Sequence, residues 1–393
     1  MAASPSIDFD NTEIAFRSRT TAALRKAQVL FRSFNYPALI HTGPKLVGAA
    51  LRLKLPVTPL IRMTIFDYFC GGVTLADCDR TVADLARFGV RSILDYSVEA
   101  LGREADLDAT RDEVLRSIEK ARGNAFLPYV VFKPTGLARF ELLEKLAAGT
   151  TLTQAETAEW ERVRKRFGGI CRAAREAALR VLVDAEESWI QPAVDRLVLE
   201  MMREFNRDGA VVYNTLQMYR KDRLAYLQTL LAEGLSGGFH VGAKLVRGAY
   251  MEKERARAAA RGYPSPIQDT KEATDRAYDQ AALLVVDHLD RAALFAGTHN
   301  ESSTSRLTEL IDRRGLVPSD RRIEFSQLYG MSDHLTYNLA HHGFNVSKYV
   351  PYGPIRAVLP YLVRRAEENS SIKGQAGREL QLIERELKRR STH

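Results

Sequence analysis

Apolar residues recur along this chain in two alternating rhythms. Eight short β-branched or aromatic runs have the length and composition of strands: RSILDYS (91–97), FLPYVVFKP (126–134), RVLVDAEES (180–188), AVVYNTLQ (210–217), HVGAKLVRGAY (240–250), ALFAGTHN (293–300), RIEFSQLYG (322–330) and NVSKYVPYG (345–353). Between them, stretches such as ATRDEVLRSIEKARG, QPAVDRLVLEMMREF, DTKEATDRAYDQAALLVVDHL and STSRLTELIDRRG place apolar residues three and four apart, the period of an amphipathic helix. Strict alternation of strand and helix predicts a parallel sheet, and eight such units fit an α/β (β/α)8 barrel, with an open doubly wound sheet as the competitor. A helical insertion over about 137–179, with a capping box at Thr153 and Glu156, separates the second strand from the third. The expected organisation is an N-terminal helical arm (1–85), a catalytic barrel (86–375) and a C-terminal basic helix (376–393).

A barrel collects its chemistry at the C-terminal ends of its strands. Here the apolar runs end in Lys133, Asp184 with Glu186, Gln217, Arg247 with Tyr250, His299 with Asn300, Gln327, and Tyr349. After the eighth run comes YLVRRAEEN, in which Tyr361, Arg364, Arg365 and Glu368 share one helical face. Two adjacent guanidinium groups beside an aromatic suit a planar anion held bidentately, whereas a lone Arg-Arg pair more often covers a core with its alkyl stems. Pro360 breaks a helix interior but suits a first helical position, so two pieces are expected. These are a short turn from Pro354 and then a helix starting near Pro360, with its N-terminal dipole close to the arginines.

Composition narrows the function classes. At 393 residues with 45% hydrophobic and 27% charged content, the chain resembles an ordinary globular protein, and no apolar run reaches the length of a membrane span. Cys70, Cys78 and Cys171 are widely spaced and lack a CxxC, which argues against a disulfide framework and a structural zinc site; the paired His341 and His342 are expected to be structural, and no metal is expected. The N-terminus carries Asp8, Asp10 and Glu13 without an apolar h-region, so the expected location is cytoplasmic. The net charge of +8 is concentrated in 17–62, where Arg17, Arg19, Arg25, Lys26, Arg32, Lys45, Arg52, Lys54 and Arg62 occur without acids. This segment is expected to be a basic amphipathic arm that either packs over the barrel or lies on the inner face of a membrane. Glycine-rich dinucleotide fingerprints, a P-loop, HExxH and a GxSxG elbow are all missing.

The segments VDAEES (183–188), NTLQMY (214–219), KLVRGAYMEKER (244–255), GTHN (297–300), FSQLYGM (325–331) and KYVPYGPIRAVLPYLVRRAEENSS (348–371) resemble the proline dehydrogenase family, in order and across roughly residues 60–375. KLVRGAY and KYVPYGP are more similar to the monofunctional and mitochondrial members than to the long bifunctional bacterial enzymes. The resemblance implies a distorted (β/α)8 barrel that binds FAD and oxidises L-proline to Δ1-pyrroline-5-carboxylate. It also implies that electrons pass to a membrane quinone, with no aldehyde dehydrogenase domain following.

Carried over to this sequence, the resemblance assigns Asp184 and Lys244 to catalysis. Lys133, Leu245, Tyr250, Leu328, Tyr349, Tyr361, Arg364 and Arg365 would hold the substrate, with the two arginines clamping its carboxylate. Ala185, Gln217, Lys244, Arg247, Gly248, Ala249, Thr298, His299 and Glu368 would hold the flavin, Lys244 replacing an arginine of the bifunctional enzymes. Tyr349 leaves little room for a ring hydroxyl, which favours L-proline over 4-hydroxyproline or another cyclic imino acid. Two other classes remain open: a Schiff-base barrel lyase or aldolase using Lys133 or Lys244, and a basic lipid- or nucleic-acid-binding protein, though no nucleic acid is the expected partner.

Overall fold

The computed structural model describes residues 7–36, 42, 53, 56–97, 102–371 and 375–392. Each of the eight apolar runs marks one strand: β1 (Arg91–Tyr96), β2 (Tyr129–Phe132), β3 (Arg180–Val183), β4 (Val212–Gln217), β5 (Val241–Val246), β6 (Ala292–Gly297, one residue ahead of its run), β7 (Ile323–Leu328) and β8 (Val346–Tyr352). They form one sheet in the order β1-β8-β7-β6-β5-β4-β3-β2. The paired registers that bracket this order are parallel, as strand–helix–strand crossovers require. The order is that of a (β/α)8 barrel, and β1 and β2 are its two ends.

The helices used below are α1 (Thr21–Ser33), α2 (Glu104–Ala121), α3 (Phe140–Ala147), α4 (Gln154–Glu176), α5 (Gln191–Phe205), α6 (Arg223–Gly237), α7 (Met251–Arg261), α8 (Lys271–Val286), α9 (Glu301–Arg313), α10 (Asp333–His341), α11 (Ile355–Ser371) and α12 (Gln375–Ser391). The insertion after β2 is α3 and α4. At the start of α4 both halves of the capping box are made: the Thr153 hydroxyl accepts from Glu156 N at 3.2 Å, and Glu156 accepts from Thr153 N at 2.9 Å.

The described residues divide into two compact units, one within 102–326 and the other within 7–97 and 327–392. In the first, Tyr129, Tyr213 and Phe295 from β2, β4 and β6 make edge-to-face ring contacts at 5.2 and 6.0 Å. A layer built from alternate strands is the packing of a barrel interior. Gly242 on the adjacent strand β5 makes room for this layer, because a Cβ there would press into the Tyr213 ring and the Val212 carbonyl. In the second unit, β1 pairs with β8 over six positions. An apolar cluster there gathers Leu24, Ala27 and Phe31 of α1, Phe66, Phe69, Val358, Tyr361 and Leu362 of α11, and Leu382 and Ile383 of α12.

One local expectation is corrected. Helix α11 is continuous from Ile355 to Ser371 with Pro360 inside it, rather than two pieces. The proline forfeits one backbone bond, worth up to about 3 kcal/mol, but Val358, Tyr361 and Leu362 flank it in the buried cluster and their burial offsets that loss. The arginines therefore lie in the third turn, about 13 Å along the axis from Ile355 at 1.5 Å per residue, beyond the reach of the helix N-terminal charge. The basic segment is also largely engaged within its own unit. Arg19 pairs with Asp333 at 3.2 Å, Arg32 with Glu384 at 2.6 Å and Arg62 with Asp67 at 3.7 Å, while Arg17 donates to the Phe88 carbonyl at 3.3 Å. Lys45, Arg52 and Lys54 lie outside the described residues.

Candidate active site

In the first unit the candidate residues stand at the ends of β2 to β6. Strand alternation puts Lys244 of β5 on the face of Thr215 and Gly242, the inward face. Lys244 is buried, its Nζ lies 2.5 Å from Asp184 Oδ1 just past β3, and it sits 5.8 Å from the Phe295 ring centroid. The Asp184 amide in turn donates to the Phe132 carbonyl at 3.0 Å, which ties this carboxylate to the end of β2. The pairing fixes an ammonium and a carboxylate in one spot at low dielectric, where neither is easily replaced. Leu245, the next residue, alternates to the other face of β5 and is fully buried there.

Lys133 follows β2 and opens a tight turn, Pro134–Gly136. Glu186 lies opposite it. Burial pushes the Glu186 carboxyl up to about 7, against the opposing effects of its hydrogen bonds from Thr135 and of the nearby Lys133. Gln217, which ends β4, donates through Nε2 to the Glu186 carbonyl at 2.6 Å and faces the Ala249 amide through Oε1 at 3.4 Å. Ala185 is half-buried between Asp184 and Glu186.

Past β5 and β6 is a cationic corner. Arg247 donates through Nε to Asp275 Oδ1 at 2.6 Å, through Nη1 to Thr298 Oγ1 at 2.5 Å and through Nη2 to Ser303 Oγ at 2.9 Å, and its guanidinium lies over the Tyr278 ring. Three of the five donors of a guanidinium are used in this way. Asp275 also takes Lys271 at 2.6 Å, so two cations share one carboxylate and the corner keeps a net positive charge. Gly248 has φ +137°, and a Cβ there would lie 2.5 Å from the Tyr219 ring, so only glycine fits. His299 is half-buried beside Thr298, and the side chain of Asn300 caps α9 by accepting from Ser303 N at 2.9 Å. Tyr250 flanks the start of α7, its carbonyl accepting from Glu254 N at 2.9 Å.

In the second unit, Arg365 is buried with its guanidinium 5.0 Å from the Tyr361 ring and Nη2 2.5 Å from Glu368 Oε1. Its Nε and the Tyr361 hydroxyl have no hydrogen-bond partner among the described residues. Arg364 is half-buried and makes no hydrogen bond or ion pair among the described residues. Burial raises the Glu368 carboxyl, and Arg365 and then Arg364 pull it back down. Tyr349 is buried on β8, its carbonyl accepting from Tyr329 N at 2.8 Å, and Leu328 packs against the aromatic cluster.

One residue went unnoticed in the sequence. Asp95 stands opposite Pro351 in the β1–β8 register, two positions beyond the Ile93–Tyr349 pair, so it shares the Tyr349 face. It is buried and accepts from Ser97 Oγ at 2.9 Å. The acid inside the apolar run RSILDYS was the available signal. His341 and His342 stack edge to face at 5.3 Å, and among the described residues no group of three metal-ligating side chains is arranged around a common point.

Eight parallel strands with helices between them and charged side chains at the strand ends define the chain as an α/β-barrel protein. The proline dehydrogenase family model matches residues 78–378, and the chain belongs to that family. It is 41% identical over 324 residues to the carbapenem antibiotics biosynthesis protein CarD of Pectobacterium carotovorum subsp. carotovorum, covering 82% of this chain and 83% of that protein. It is 43% identical over 243 residues to human mitochondrial proline dehydrogenase 1, covering 61% of this chain but 40% of that protein. Among solved structures, proline utilization A (PutA) from Bdellovibrio bacteriovorus, inactivated by N-propargylglycine, superposes with a TM-score of 0.71. The identity is 18%, over 93% of this chain and 38% of that one, which shows the barrel fold. The chain thus spans about two fifths of the length of the human and PutA proteins.

Proposed function

We propose that this protein is a flavin-dependent dehydrogenase that oxidises L-proline to Δ1-pyrroline-5-carboxylate and passes the electrons to a membrane quinone. The observation that carries the proposal is membership of the proline dehydrogenase family over a segment that includes both the Lys244–Asp184 pair and the Arg364–Arg365 helix. Arg364, with no hydrogen bond or ion pair among the described residues, and Arg365, braced by Tyr361 and Glu368, would clamp the proline carboxylate, and Lys133 would add a third cation. Such a clamp fixes the ring carbon to be oxidised relative to the acceptor, an orientation effect worth several kcal/mol of barrier. Tyr250 and Leu328 would line the ring, while Tyr349, buried on β8, supports a preference for proline over 4-hydroxyproline.

The residues present fit a flavin dinucleotide, and FAD is the proposed form. The cationic corner of Arg247 and Lys271 suits a pyrophosphate, and Gly248 is confined to glycine, so the backbone there stays open to close approach. Gln217, Ala249, Thr298 and His299 would hold the remaining polar edges, with Ala185 beside the ring system and Glu368 near it. When bound, the flavin would take the two electrons lost as the proline C–N bond becomes a C=N bond. Lys244, ion-paired with Asp184, would place a positive charge where negative charge develops. The commitment of its Nζ to that ion pair disfavours the Schiff-base alternative.

The test is the visible spectrum of the purified protein. Flavin bands that bleach on anaerobic addition of L-proline are expected; a colourless protein, or bands indifferent to saturating proline, would overturn the proposal.

A further inference from the structure

The turn that carries Lys133 is held by a side chain that neither the clamp nor the flavin site uses. Thr135 lies at the centre of the Pro134–Gly136 turn, which begins where Gly136 N donates to the Lys133 carbonyl at 2.9 Å. The Glu186 carboxylate grips this threonine twice, accepting from its amide through Oε2 at 2.9 Å and from its hydroxyl through Oε1 at 2.6 Å. The Glu186 backbone carbonyl takes the Gln217 side chain, and that side chain faces the Ala249 amide. One hydrogen-bonded line therefore crosses the ends of β2, β3, β4 and β5.

Glu186 is 6% exposed and forms no ion pair among the described residues; Lys253 pairs with its neighbour Glu187 instead. Burying an acid in this way is costly, and an apolar side chain of the same size would pack there without that cost. The charged groups around it are Lys133, which favours the carboxylate, and Glu187, which opposes it. A buried acid spent on both donors of one threonine, two residues from a cation, is more economically explained by what it orients than by what it fills.

We infer that Glu186 is a positioning residue whose carboxylate fixes the Thr135 turn and thereby aims Lys133 at the anionic group of the substrate. The inference rests on the role given to Lys133 above. Ionised Glu186 accepts both Thr135 bonds, whereas the protonated acid must turn one oxygen into a donor, so the grip weakens as pH falls through about 7.

The test combines Glu186→Gln, which keeps the shape and one acceptor, with Lys133→Ala. kcat and KM for L-proline are measured with a dye acceptor from about pH 6 to about pH 8.5, and any pH dependence shared by wild type and E186Q is assigned to the substrate's own amine. Wild-type KM is expected to rise as pH falls through 7, whereas E186Q should lack that step and show KM raised about fivefold at the alkaline end with kcat within about twofold. In the K133A background E186Q should add almost nothing, because the two act through one route. Thr135→Val should mimic E186Q and Thr135→Ser should restore the wild-type profile.

Hydrogen exchange of segment 133–138 reads the Thr135 amide without any substrate, and it should quicken in Glu186→Ala. An E186Q effect of equal size with and without Lys133, a retained pH step, or unchanged exchange would each overturn the inference. If wild type does not oxidise proline but the exchange still depends on Glu186, the proline assignment falls while the clamp on the turn stands.

Discussion

At the scale of single residues, Arg365 and Glu186 show how burial converts ordinary side chains into specific ones. Arg365 is packed against Tyr361, tied to Glu368 and left with an unpartnered Nε, so its fork is oriented before any ligand arrives. Arg365→Lys keeps the charge but loses the planar fork and the stacking. KM for L-proline is expected to rise tenfold or more, about 1.4 kcal/mol or above, which steady-state kinetics would measure; an unchanged KM would remove Arg365 from the substrate clamp. Glu186 carries a second expectation, on stability. Its carboxyl rises from the ordinary 4.5 to about 7, so the folded state holds the proton more tightly than the unfolded chain does. The stabilisation is full below about pH 4.5 and is lost as pH rises to about 7, a change of about 3 kcal/mol at most. E186Q, which cannot ionise, should therefore be more resistant to urea than wild type at pH 8 and indistinguishable from it near pH 5. A gap that instead widened in acid would refute the assignment.

At the scale of elements, the sequence is most legible where periodicity and burial agree. Seven of the eight strands fall inside the apolar runs that announce them and β6 starts one residue before its run, because a strand buried on both faces needs a continuous run of apolar residues and a following turn, and both are local signals. The capping box at Thr153 is equally local, and Thr153→Ala should cost about 1 kcal/mol, seen as faster hydrogen exchange in the first turn of α4 with the rest of the chain unchanged. Helix α11 shows the limit. Its continuity through Pro360 depends on Val358, Tyr361 and Leu362 meeting Phe66 and Phe69, nearly 300 positions earlier, and no window around Pro360 contains that information. The face of Leu245 was hidden for a related reason. KLVRGAY reads as one block until the register with β4 places Lys244 on the Thr215 face, which sends its neighbour to the opposite one. The candidate polar residues were therefore legible as strand ends, whereas their partners Thr135, Asp275 and Ser303, which come from turns and helices without a polar signature, were not.

At the scale of the whole molecule, the net charge of +8 poses the question of where a positive surface could act. The family reading asks for electron delivery to a membrane quinone, yet no helix among the described residues is long and apolar enough to cross a membrane. The described part of 17–62 offers a modest surface for a membrane contact. Arg17, Arg19, Arg32 and Arg62 are engaged with groups of their own unit, which leaves Arg25 and Lys26 exposed on α1 one turn before the exposed side chain of Val29. Two cations near an anionic leaflet contribute about 1 kcal/mol each, and the attraction fades within a Debye length. The protein should therefore co-sediment weakly with vesicles containing phosphatidylglycerol, be released as salt approaches about 0.5 M, and ignore vesicles of phosphatidylcholine alone. Arg25→Glu combined with Lys26→Glu should abolish the retention while leaving proline-dependent dye reduction in solution intact, since neither residue belongs to the site. Retention unaffected by this reversal, or by salt, would mean that α1 is purely a packing element and that the quinone is met through another surface.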